Sequence, residues 1–591
     1  MGNELTWVVG GQQGEGIDTT GEILASALNR LGYFIYGYRT FGSRIKGGHT
    51  NYRIRIAHRP VYGIAPRIDV LIAFDQDSIN RLAGEMAPGG IIVFNGKGGR
   101  AKLPAGVENV RLVEVPMLEL ARELGNPIMK NMVGVGVSAA LLGLTPEDIE
   151  PVVDERFSGK GGKLVEANKA ALRRGFEAAR AALGGDATGL RLEAADGRRR
   201  YLMTGDEAAA FGALVAGCRL VAAYPITPAS EIMHWLVKKL PRYGGVVVQA
   251  EDEIAAISTV IGAGYAGVRA MTSTSGPGFS LMQEALGYAG MIEAPCVIVN
   301  VQRAGPSTGM PTKHEQSDLF EMVMGSHGDL PRIVLAPVTI DDCFYAAAEA
   351  FNLADRFQTP VILALDLALG MAKQTVEDID FTRVKIDRGE IALPDDLNWD
   401  GGDFKRYRIT ESGISPRSLP GMTGGLHLAT GLEHDETGHI TEDRANRVRM
   451  MQKRLRKFAG VQDVEAVRYE GPERPEVLLI GWGASYGALR EAREQLEAQG
   501  IATGHAHIRL LSPFPTEAVN DLLARSNHIF VAENNALSQL AALIRQHADA
   551  ADKRRLRTIN KYDGTLFLPG EIVEPVLAGV APVGVTAKEV G

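Results

Sequence analysis

Short runs of β-branched and aliphatic residues recur along the chain, and most of them lead through a turn into a stretch of helical periodicity. Buried parallel strands show such continuous apolar runs, whereas the helices between them carry one apolar face. The alternation therefore predicts a multidomain α/β fold. In the first third of the chain the predicted strands lie at 6–10, 33–38, 51–56, 69–74, 90–95 and 111–115.

Two further α/β regions follow the same pattern, and the segments between them are richer in glycine and charge. We predict domains at 1–185, 201–371 and 472–591, a linker at 186–200 and a polar connecting segment at 372–471. A basic helix at about 442–458 lies in the connecting segment. We expect its charges to face solvent or a partner.

The stretch from 246 to 268 dominates the middle region. The run 246–248 predicts a buried strand, and three acids follow at 251–253. The stretch 254–268 contains no charged residue and has helical character. A helix that is apolar and small-sided on every face requires protein on every face, in this case across a subunit interface. A carboxylate at its start would be desolvated and suited to handling a proton. The alternative is ordinary helix capping, with Asp252 as the N-cap.

Four loops of this region leave the carboxyl ends of predicted strands, which is where ligands bind in open parallel sheets. In the first, Thr227 stands at an N-cap position and Pro228 at the first helical position, so helix initiation alone could explain the pair. Another is the small-residue turn at 273–278. The longest, 302–318, carries Arg303 and Lys313 and predicts an anion clamp, with a surface loop as the alternative.

The first region contains a glycine turn and a basic glycine loop. The turn at 10–16 (GGQQGEG) joins a strand to a helix and could cradle an anion, but its spacing is not GxGxxG. Arg39 also stands where a ribose-binding acid would be needed, which disfavours an NAD-binding dehydrogenase. After the loop, Arg53 and Arg55 alternate with apolar residues, which indicates either a phosphate-binding row or a solvated sheet face.

Composition restricts the partners. The net charge is −8 and the isoelectric point about 5.9, which argues against nucleic acid as the main partner. The three cysteines form no CxxC pair, so this chain alone builds neither a disulfide framework nor an iron–sulfur cluster, and we expect no metal site in it. No apolar run approaches the roughly 18 residues of a membrane helix, and we expect a cytoplasmic protein.

Taken together, the motifs resemble those of the thiamine-diphosphate-dependent 2-oxoacid:ferredoxin oxidoreductases, as an α subunit with the γ domain fused at its N-terminus. The resemblance covers nearly the whole chain and rests on these motifs in order: GGQQGEG, SRIKGGHT, YPITPASE, QAEDEIAAISTVIGAGYAG, TSTSGPG, QRAGPSTGMPTKHEQSD and VLLIGWGAS. It implies a γ domain, then a doubly wound domain that binds the thiamine pyrimidine, then a domain similar to the transketolase C-terminal domain.

The resemblance also implies roles for single residues. Glu253 matches the family's glutamate, which hydrogen-bonds the aminopyrimidine ring of the cofactor; Glu251 is the fallback. Thr227 matches the threonine near the 2-oxo group, Arg303 matches the position associated with the substrate carboxylate, and Lys313 is a second cation there. The other candidate cofactor contacts are Tyr224, Pro225, Ile226, Ser275 and Gly276.

The chain lacks the Gly-Asp-Gly motif with which the family binds metal and diphosphate. The resemblance therefore implies a separate β subunit that brings Mg²⁺, the diphosphate site and a [4Fe–4S] cluster, with a dimer of αβ pairs as the assembly. The implied reaction converts a 2-oxoacid, coenzyme A and oxidised ferredoxin reversibly into acyl-CoA, CO₂ and reduced ferredoxin.

The fused arrangement and the segment 433–443 look most like the members that act on 2-oxoglutarate. A second substrate carboxylate needs a cation, and the candidates are Arg44, Lys46, His49, Arg303 and Lys313. Pyruvate or branched-chain 2-oxoacids would need an apolar pocket instead. The glycine turn with Arg53 and Arg55 is a candidate site for the phosphates of coenzyme A. The rival hypotheses are a thiamine enzyme without a redox partner and a non-catalytic homologue.

Overall fold

The computed structural model describes residues 4–42, 47–96, 101–184, 190–398, 400 and 402–580. Its strands are β1 (Leu5–Gln12), β2 (Phe34–Thr40), β3 (His49–Ala57), β4 (Ile68–Ala73), β5 (Met86–Phe94), β6 (Arg111–Glu114), β7 (Tyr201–Thr204), β8 (Leu220–Ala223), β9 (Val246–Gln249), β10 (Ala270–Thr274), β11 (Cys296–Gln302), β12 (Ile333–Leu335), β13 (Pro360–Asp366), β14 (Lys373–Val376), β15 (Val467–Glu470), β16 (Val477–Gly481), β17 (Thr503–Ile508), β18 (Leu510–Ser512), β19 (His528–Glu533) and β20 (Leu556–Asn560).

The α-helices alternate with these strands, as the apolar pattern predicts. They are α1 (Ile17–Arg30), α2 (Gln76–Leu82), α3 (Met117–Glu123), α4 (Lys130–Leu142), α5 (Pro146–Phe157), α6 (Gly162–Leu183), α7 (Gly205–Val215), α8 (Ser230–Lys239), α9 (Glu253–Tyr265), α10 (Gly276–Leu281), α11 (Gln283–Met291), α12 (Leu319–Met324), α13 (Ile340–Phe357), α14 (Leu367–Met371), α15 (Arg444–Arg456), α16 (Tyr486–Ala498), α17 (Thr516–Ala524), α18 (Gln539–His547), α19 (Ala550–Lys553) and α20 (Pro569–Val580).

The chain folds into two compact units, and the first consists of residues up to 204 together with 371–378. Its mixed sheet has the order β6-β5-β4-β1-β3-β2-β14-β7. The central strand β1 pairs in parallel with β4 and antiparallel with β3. Trp7 of β1 is fully buried and donates from its indole Nε1 to Ser138 Oγ at 3.0 Å, which ties the sheet to α4.

The boundaries of this unit differ from those that the sequence predicts at 200/201 and 371/372, because strands β7 and β14 both belong to it. β14 lies between β2 and β7, antiparallel to both. Thr375 Oγ1 accepts from the backbone N–H of Ile35 at 3.1 Å, and Gln374 Nε2 donates to Val61 O at 2.9 Å. β14 (KQTV) carries no apolar run and β7 (YLMT) has only four residues, so the pattern assigned both to neighbouring segments.

In the glycine turn of the first unit, an acidic side chain of the turn itself binds a backbone N–H group. Glu15 Oε2 accepts from the backbone N–H of Gln12 at 3.0 Å, and Glu15 Oε1 lies 2.8 Å from Lys130 Nζ. This carboxylate already accepts a hydrogen bond that an anion bound in the turn would accept.

The arginine row of β3 binds carboxylates of the same chain, one of the two anion types that such a row suits, and the alternative of a solvated sheet face is wrong. Arg53 and Arg55 are 8% and 3% exposed. Arg53 pairs with Glu85, and Arg55 Nε lies 2.7 Å from Glu4 Oε1. Because both guanidinium groups are buried against carboxylates, they do not support the predicted coenzyme A site.

The second unit contains residues 205–370 and the chain from 379 onward. Its larger sheet has the order β18-β12-β13-β11-β10-β8-β9, parallel except for β18. Its smaller sheet has the order β15-β17-β16-β19-β20, parallel except for β15. In the larger sheet β8, β9, β10 and β11 are neighbours with one direction, so their carboxyl ends meet at one edge. This confirms the predicted grouping of the four loops.

Strand β9 is an edge strand, and the prediction of a buried strand is wrong. Val246 and Val248 are 55% and 38% exposed. β9 pairs only with β8, so no neighbour covers its other side in the described part of the chain. Helix α9 likewise leaves one face open, with Ile254 at 52% exposure. The described part of the chain therefore does not bury α9 on every face, although its uncharged sequence leads us to expect such burial.

The basic helix α15 is only partly solvated, which corrects the prediction that its charges face outward. Lys453 and Lys457, the latter just beyond the helix end, are almost completely buried, and their ammonium groups lie 2.6 and 2.7 Å from the carboxylate of Glu293. Burial alone would raise the pKa of Glu293, but the two ammonium groups outweigh it and hold that pKa well below its usual range. The connecting segment is thus tied to the core of the larger sheet.

No helix among the described residues has the length and apolar character needed to cross a membrane. Within the same residues, no group of three or more histidine, cysteine or acidic side chains is arranged to hold a metal ion.

Candidate active site

Glu253 is the first residue of α9, directly after the turn that follows β9. Asp252 is the N-cap, as predicted, because its Oδ1 accepts from the backbone N–H of Ala255 at 2.7 Å. Capping is therefore done by Asp252, and Glu253 is left for another role. Its side chain is 6% exposed, and in the described part of the chain its carboxylate has no hydrogen-bond or ion-pair partner. Glu251 is exposed.

Two glycines of α10 lie against acidic side chains of the site. A Cβ at Gly278 would come within 2.3 Å of Glu253 Oε1 and 2.2 Å of Thr274 Oγ1. A Cβ at Gly276 would come within 2.9 Å of Asp318 Oδ2. The small-residue motif at 273–278 therefore lets α10 approach both carboxyl groups, which any larger residue would displace.

Ser275 lies between β10 and α10, as the N-cap residue of the helix. Ser273 and Thr274 belong to the strand, so the turn is shorter than the predicted 273–278. The Ser275 side chain is fully buried, and among the described residues its Oγ has no hydrogen-bond partner. Such a buried hydroxyl without a partner is unusual and is compatible with a ligand that the isolated chain does not contain.

Arg303 follows β11 and contacts the first of the four loops. Its side chain is 8% exposed, and Nη1 donates to Thr227 O at 2.7 Å. Its Nε is buried and has no partner within the described chain. Burial lowers the pKa of Arg303, and the neighbouring Asp318 carboxyl partly offsets this effect. The structure thus brings together Arg303 and Thr227, as the resemblance implies.

Asp318 lies at the end of the 302–318 loop, between Arg303 and the glycines of α10. Asn300 Nδ2 donates to Asp318 Oδ2 at 3.1 Å, and the backbone N–H of Asp318 donates to Gln302 Oε1 at 3.1 Å. Burial raises the pKa of Asp318 to about 7, although the hydrogen bond from Asn300 opposes the change. The acid is at the N-cap position of α12 but makes no capping hydrogen bond with its side chain.

Lys313 lies in the middle of the same loop, half-buried. Its methylene groups pack on Gly564, where a Cβ would come within 2.8 Å of the lysine Cβ. Burial lowers the pKa of Lys313, and among the described residues no carboxylate pairs with it. The loop therefore presents an ammonium group without an internal counter-ion.

The first loop differs from prediction in one respect. Helix α8 begins at Ser230, so Thr227 is not its N-cap and Pro228 is not its first residue. Thr227 instead lies in an exposed turn, which removes helix initiation as the explanation for this residue. Tyr224, Pro225 and Ile226 form the extended segment between β8 and this turn, and Tyr224 is 41% exposed.

The three remaining predicted cations come from the first part of the chain. His49 belongs to β3 of the first unit, where its Nε2 lies 3.3 Å from Asn51 Nδ2. Arg44 and Lys46 lie outside the described residues.

Asp318, Asn300 and Gln302 are site residues to which the sequence pattern assigned no role. Asn300 and Gln302 are fully buried polar residues within the apolar run of β11. The sequence did contain a signal for Asn300 and Gln302, because burying a polar side chain in an apolar strand is unfavourable unless it is hydrogen-bonded.

Three family models match successive parts of the chain. Residues 6–178 match "Pyruvate ferredoxin/flavodoxin oxidoreductase". Residues 211–454 match "Pyruvate flavodoxin/ferredoxin oxidoreductase, thiamine diP-bdg". Residues 475–572 match "Pyruvate:ferredoxin oxidoreductase core domain II". The order of the three matches is the order that the resemblance implies.

Relatives that align over nearly their own full length support the same family. The chain is 34% identical to 2-oxoacid:ferredoxin oxidoreductase 2, subunit alpha, of Aeropyrum pernix, over 94% of this chain and 95% of that one. It is 39% identical to the 2-oxoglutarate synthase subunit KorA of Archaeoglobus fulgidus, over 64% of this chain and 98% of that one. The 2-oxoglutarate:ferredoxin oxidoreductase structure from Magnetococcus marinus with 2-oxoglutarate, coenzyme A and succinyl-CoA bound matches with a TM-score of 0.91 and 36% identity, covering 98% of this chain and 100% of that chain. The chain therefore belongs to the 2-oxoacid:ferredoxin oxidoreductases, as an α-type chain with the γ domain fused at its N-terminus.

Proposed function

We propose that the chain is the α subunit of a 2-oxoglutarate:ferredoxin oxidoreductase. The overall reaction converts 2-oxoglutarate and coenzyme A into succinyl-CoA and CO₂, with two electrons passed to ferredoxin and one proton released. The observation that carries the proposal is the similarity over essentially the full length of both chains to the Magnetococcus marinus enzyme with 2-oxoglutarate, coenzyme A and succinyl-CoA bound.

Glu253 and Ser275 fit the thiamine diphosphate that the family model implies. The carboxylate is buried and has no partner among the described residues, and Gly278 leaves its Oε1 without a covering side chain. The buried Ser275 hydroxyl also has no partner there. When bound, thiamine diphosphate supplies the carbanion-stabilising chemistry of decarboxylation. In our proposal Glu253 holds a proton at its carboxylate and hydrogen-bonds the aminopyrimidine ring, while α9 and α10 exclude water from that contact.

Arg303 and Lys313 are proposed to bind the carboxylates of the substrate. Arg303 is the more buried of the two and is fixed by Thr227, so we assign it to the carboxylate next to the reacting carbon. Lys313 lacks an internal counter-ion in the described chain and is assigned to the distal carboxylate. An ammonium or guanidinium group in a partly buried loop binds carboxylates more strongly than one in open solvent.

The proposal includes a β subunit with Mg²⁺, the diphosphate site and a [4Fe–4S] cluster, since the sequence has no Gly-Asp-Gly motif and only three cysteines. The three cysteines are buried and unpaired, which supports a protein kept in a reducing cytoplasm. A dimer of αβ pairs, with ferredoxin as the external acceptor, completes the proposed assembly.

Pyruvate is the second candidate substrate, because the matching family models carry its name. Pyruvate has no distal carboxylate, so it would leave Lys313 without an anion. The two substrates can therefore be separated by the effect of removing that ammonium group.

The test is substrate-dependent reduction of methyl viologen by the purified αβ complex with coenzyme A present. We expect the highest kcat/KM with 2-oxoglutarate, and we expect Lys313→Met to raise KM for 2-oxoglutarate while leaving KM for pyruvate unchanged. Higher kcat/KM with pyruvate or a branched-chain 2-oxoacid would refute the assignment of substrate. Absence of viologen reduction with every 2-oxoacid would refute the redox function.

A further inference from the structure

The loop at 303–318 carries both proposed substrate cations, and it is rich in glycine and proline. Within the loop, the backbone N–H of Met310 donates to Ala304 O at 3.0 Å, that of Ala304 to Lys313 O at 3.0 Å, and that of Lys313 to Met310 O at 2.9 Å. A loop with so few internal hydrogen bonds does not hold two long cationic side chains in place by itself.

The second half of the loop is fastened to the C-terminal subdomain, which we define as residues 467–580. Gln316 is fully buried at this junction, and its side-chain amide is hydrogen-bonded on both sides. Nε2 donates to Asp366 Oδ2 and to Trp482 O, both at 2.9 Å. Oε1 accepts from the backbone N–H of Asn534 at 3.1 Å.

The backbone of Gln316 is held as well. Its N–H donates to Asn534 O at 2.7 Å, and its C=O accepts from Asn535 Nδ2 at 3.1 Å. Asn535 is in turn oriented by Glu533, which accepts from Asn535 Nδ2 at 2.7 Å. The polar turn after β19 therefore binds the loop through backbone and side chain together.

Three further hydrogen bonds hold the residues on either side of Gln316. Before it, the backbone N–H of His314 donates to Gly564 O at 3.2 Å. After it, Gln539 Nε2 donates to Ser317 O at 2.8 Å, and Gln539 Oε1 accepts from the backbone N–H of Phe320 at 3.0 Å. Together with the turn at 533–535, Gly564 and Gln539 hold the loop from three positions along the C-terminal subdomain.

We propose that Gln316 is a positioning residue, which clamps the 303–318 loop to the C-terminal subdomain so that Arg303 and Lys313 are placed in advance for the carboxylates of the 2-oxoacid. The inference rests on the proposed function of those two cations. It gives the C-terminal subdomain a role in substrate binding, although that subdomain supplies none of the cations. Placing charged groups before the substrate arrives avoids an ordering cost during binding, and a misplacement of about 1 Å can reduce the rate by about 100-fold.

The test compares Gln316→Leu with Gln374→Leu in the αβ complex. Gln374 is also buried and also donates its amide to a backbone carbonyl, but it does so in β14 of the first unit. We expect Gln316→Leu to increase hydrogen–deuterium exchange at the amides of 304–316 and to raise KM for 2-oxoglutarate at least about 10-fold, with a smaller change in kcat. Gln374→Leu should change neither quantity.

Equal effects of the two variants on KM, or unchanged exchange in the loop of Gln316→Leu, would overturn the proposal. If Gln316→Leu does not assemble, Gln316→Glu decides the question. An ionised glutamate would repel Asp366 and the Trp482 carbonyl, whereas a protonated one can donate to them. The KM of Gln316→Glu should therefore move towards the wild-type value as the pH falls from about 8 to about 6, and a pH-independent KM ratio would count against the clamp.

The two readouts separate this inference from the proposed function. If the wild-type complex does not oxidise 2-oxoglutarate, the proposed function fails, and the exchange data still show whether Gln316 holds the loop. If the wild type is active and only the loop measurements are negative, the clamp fails and the proposed function stands.

Discussion

The surroundings of Glu253 leave its carboxylate available to a ligand. It is the first residue of α9, but the capping hydrogen bond is made by Asp252. Its side chain is buried, and a Cβ at Gly278 would come within 2.3 Å of its Oε1. A buried polar group is usually hydrogen-bonded, so a carboxylate without a partner in the described chain suits the role proposed for it.

Replacing Glu253 with glutamine should abolish most turnover. Glutamine keeps the size and the burial but cannot carry the proton, so kcat should fall by about 100-fold to 10,000-fold. The measurement is 2-oxoglutarate-dependent viologen reduction by the αβ complex, with its melting temperature as the test of folding. Glu251→Gln is the matched control, since Glu251 is exposed two residues earlier. A large loss in the control and none in Glu253→Gln would move the role to Glu251.

Asp318 should make substrate binding depend on pH. Its pKa is raised to about 7, so it ionises as the pH rises through neutrality. The ionised form repels the carboxylates that Arg303 is proposed to bind, and KM for 2-oxoglutarate should therefore rise as the pH increases from about 6 to about 8. In Asp318→Asn the pH dependence in this range should disappear. A pH profile that is the same in both proteins would show that Asp318 does not act on the substrate site.

These two acids also show how far residue-level prediction extends. Three acids before an uncharged helix are a local pattern that the sequence shows, and the family resemblance selected Glu253 among them. Asp318 was not found, because its environment comes from Asn300 on a neighbouring strand and from Gly276 on α10. Only the fold brings those residues together, so a single sequence contains no signal for the raised pKa.

At the scale of elements, the apolar pattern predicted β1 to β6 and β8 to β11, and for the latter four also their common direction. It missed short strands such as β14, and it was weaker on the exposure of the strands. β9 has the composition of a central strand but lies at the edge of the sheet. Composition reports how well a strand packs on its faces, and it carries little information about whether a second strand pairs with it. An uncovered edge next to the open face of α9 agrees with a chain whose partner subunit is absent.

Helix α15 shows the converse case, since some of the charged side chains of this basic helix are buried. Lys453 and its partner Glu293 are 160 residues apart in sequence, so periodicity could not pair them. The buried cluster of Glu293, Lys453 and Lys457 connects the polar segment to the end of α11.

Removing the acid from this cluster should be strongly destabilising. Glu293→Gln leaves two buried ammonium groups without an anion, and we expect a loss of about 3–5 kcal/mol in the free energy of unfolding. The wild type should also lose stability as the pH falls below about 4.5, because the folded-state pKa of Glu293 lies below that ordinary value. This acid-dependent loss should be reduced in the variant. Denaturant unfolding followed across pH measures both effects.

The control is the exposed pair between Arg356 and Asp463. Asp463→Asn should change the free energy of unfolding by less than about 1 kcal/mol, because exposed ion pairs contribute little. Similar losses in Glu293→Gln and Asp463→Asn would mean that the buried cluster has no special role in stability.

At the scale of the whole molecule, the chain crosses between its two units more than once. The first unit is completed by residues 371–378, which return to it after six of the seven strands of the larger sheet of the second unit. Sequence order predicted separate, consecutive domains, and this failed at β14 because a four-residue strand gives too weak a pattern to locate. The returning strand supplies hydrogen bonds to both β2 and β7.

This arrangement predicts that the first unit is incomplete without the returning segment. Residues 1–204 produced alone would leave β2 as an edge and β7 without its neighbour β14, and the backbone N–H of Ile35 would lose its bond to Thr375. A synthetic peptide of residues 371–378 should therefore bind this fragment and raise its melting temperature in a concentration-dependent manner, as expected for a ligand of the folded state. The control is the same peptide with its order scrambled. If both peptides leave the melting temperature unchanged, β14 does not stabilise the first unit.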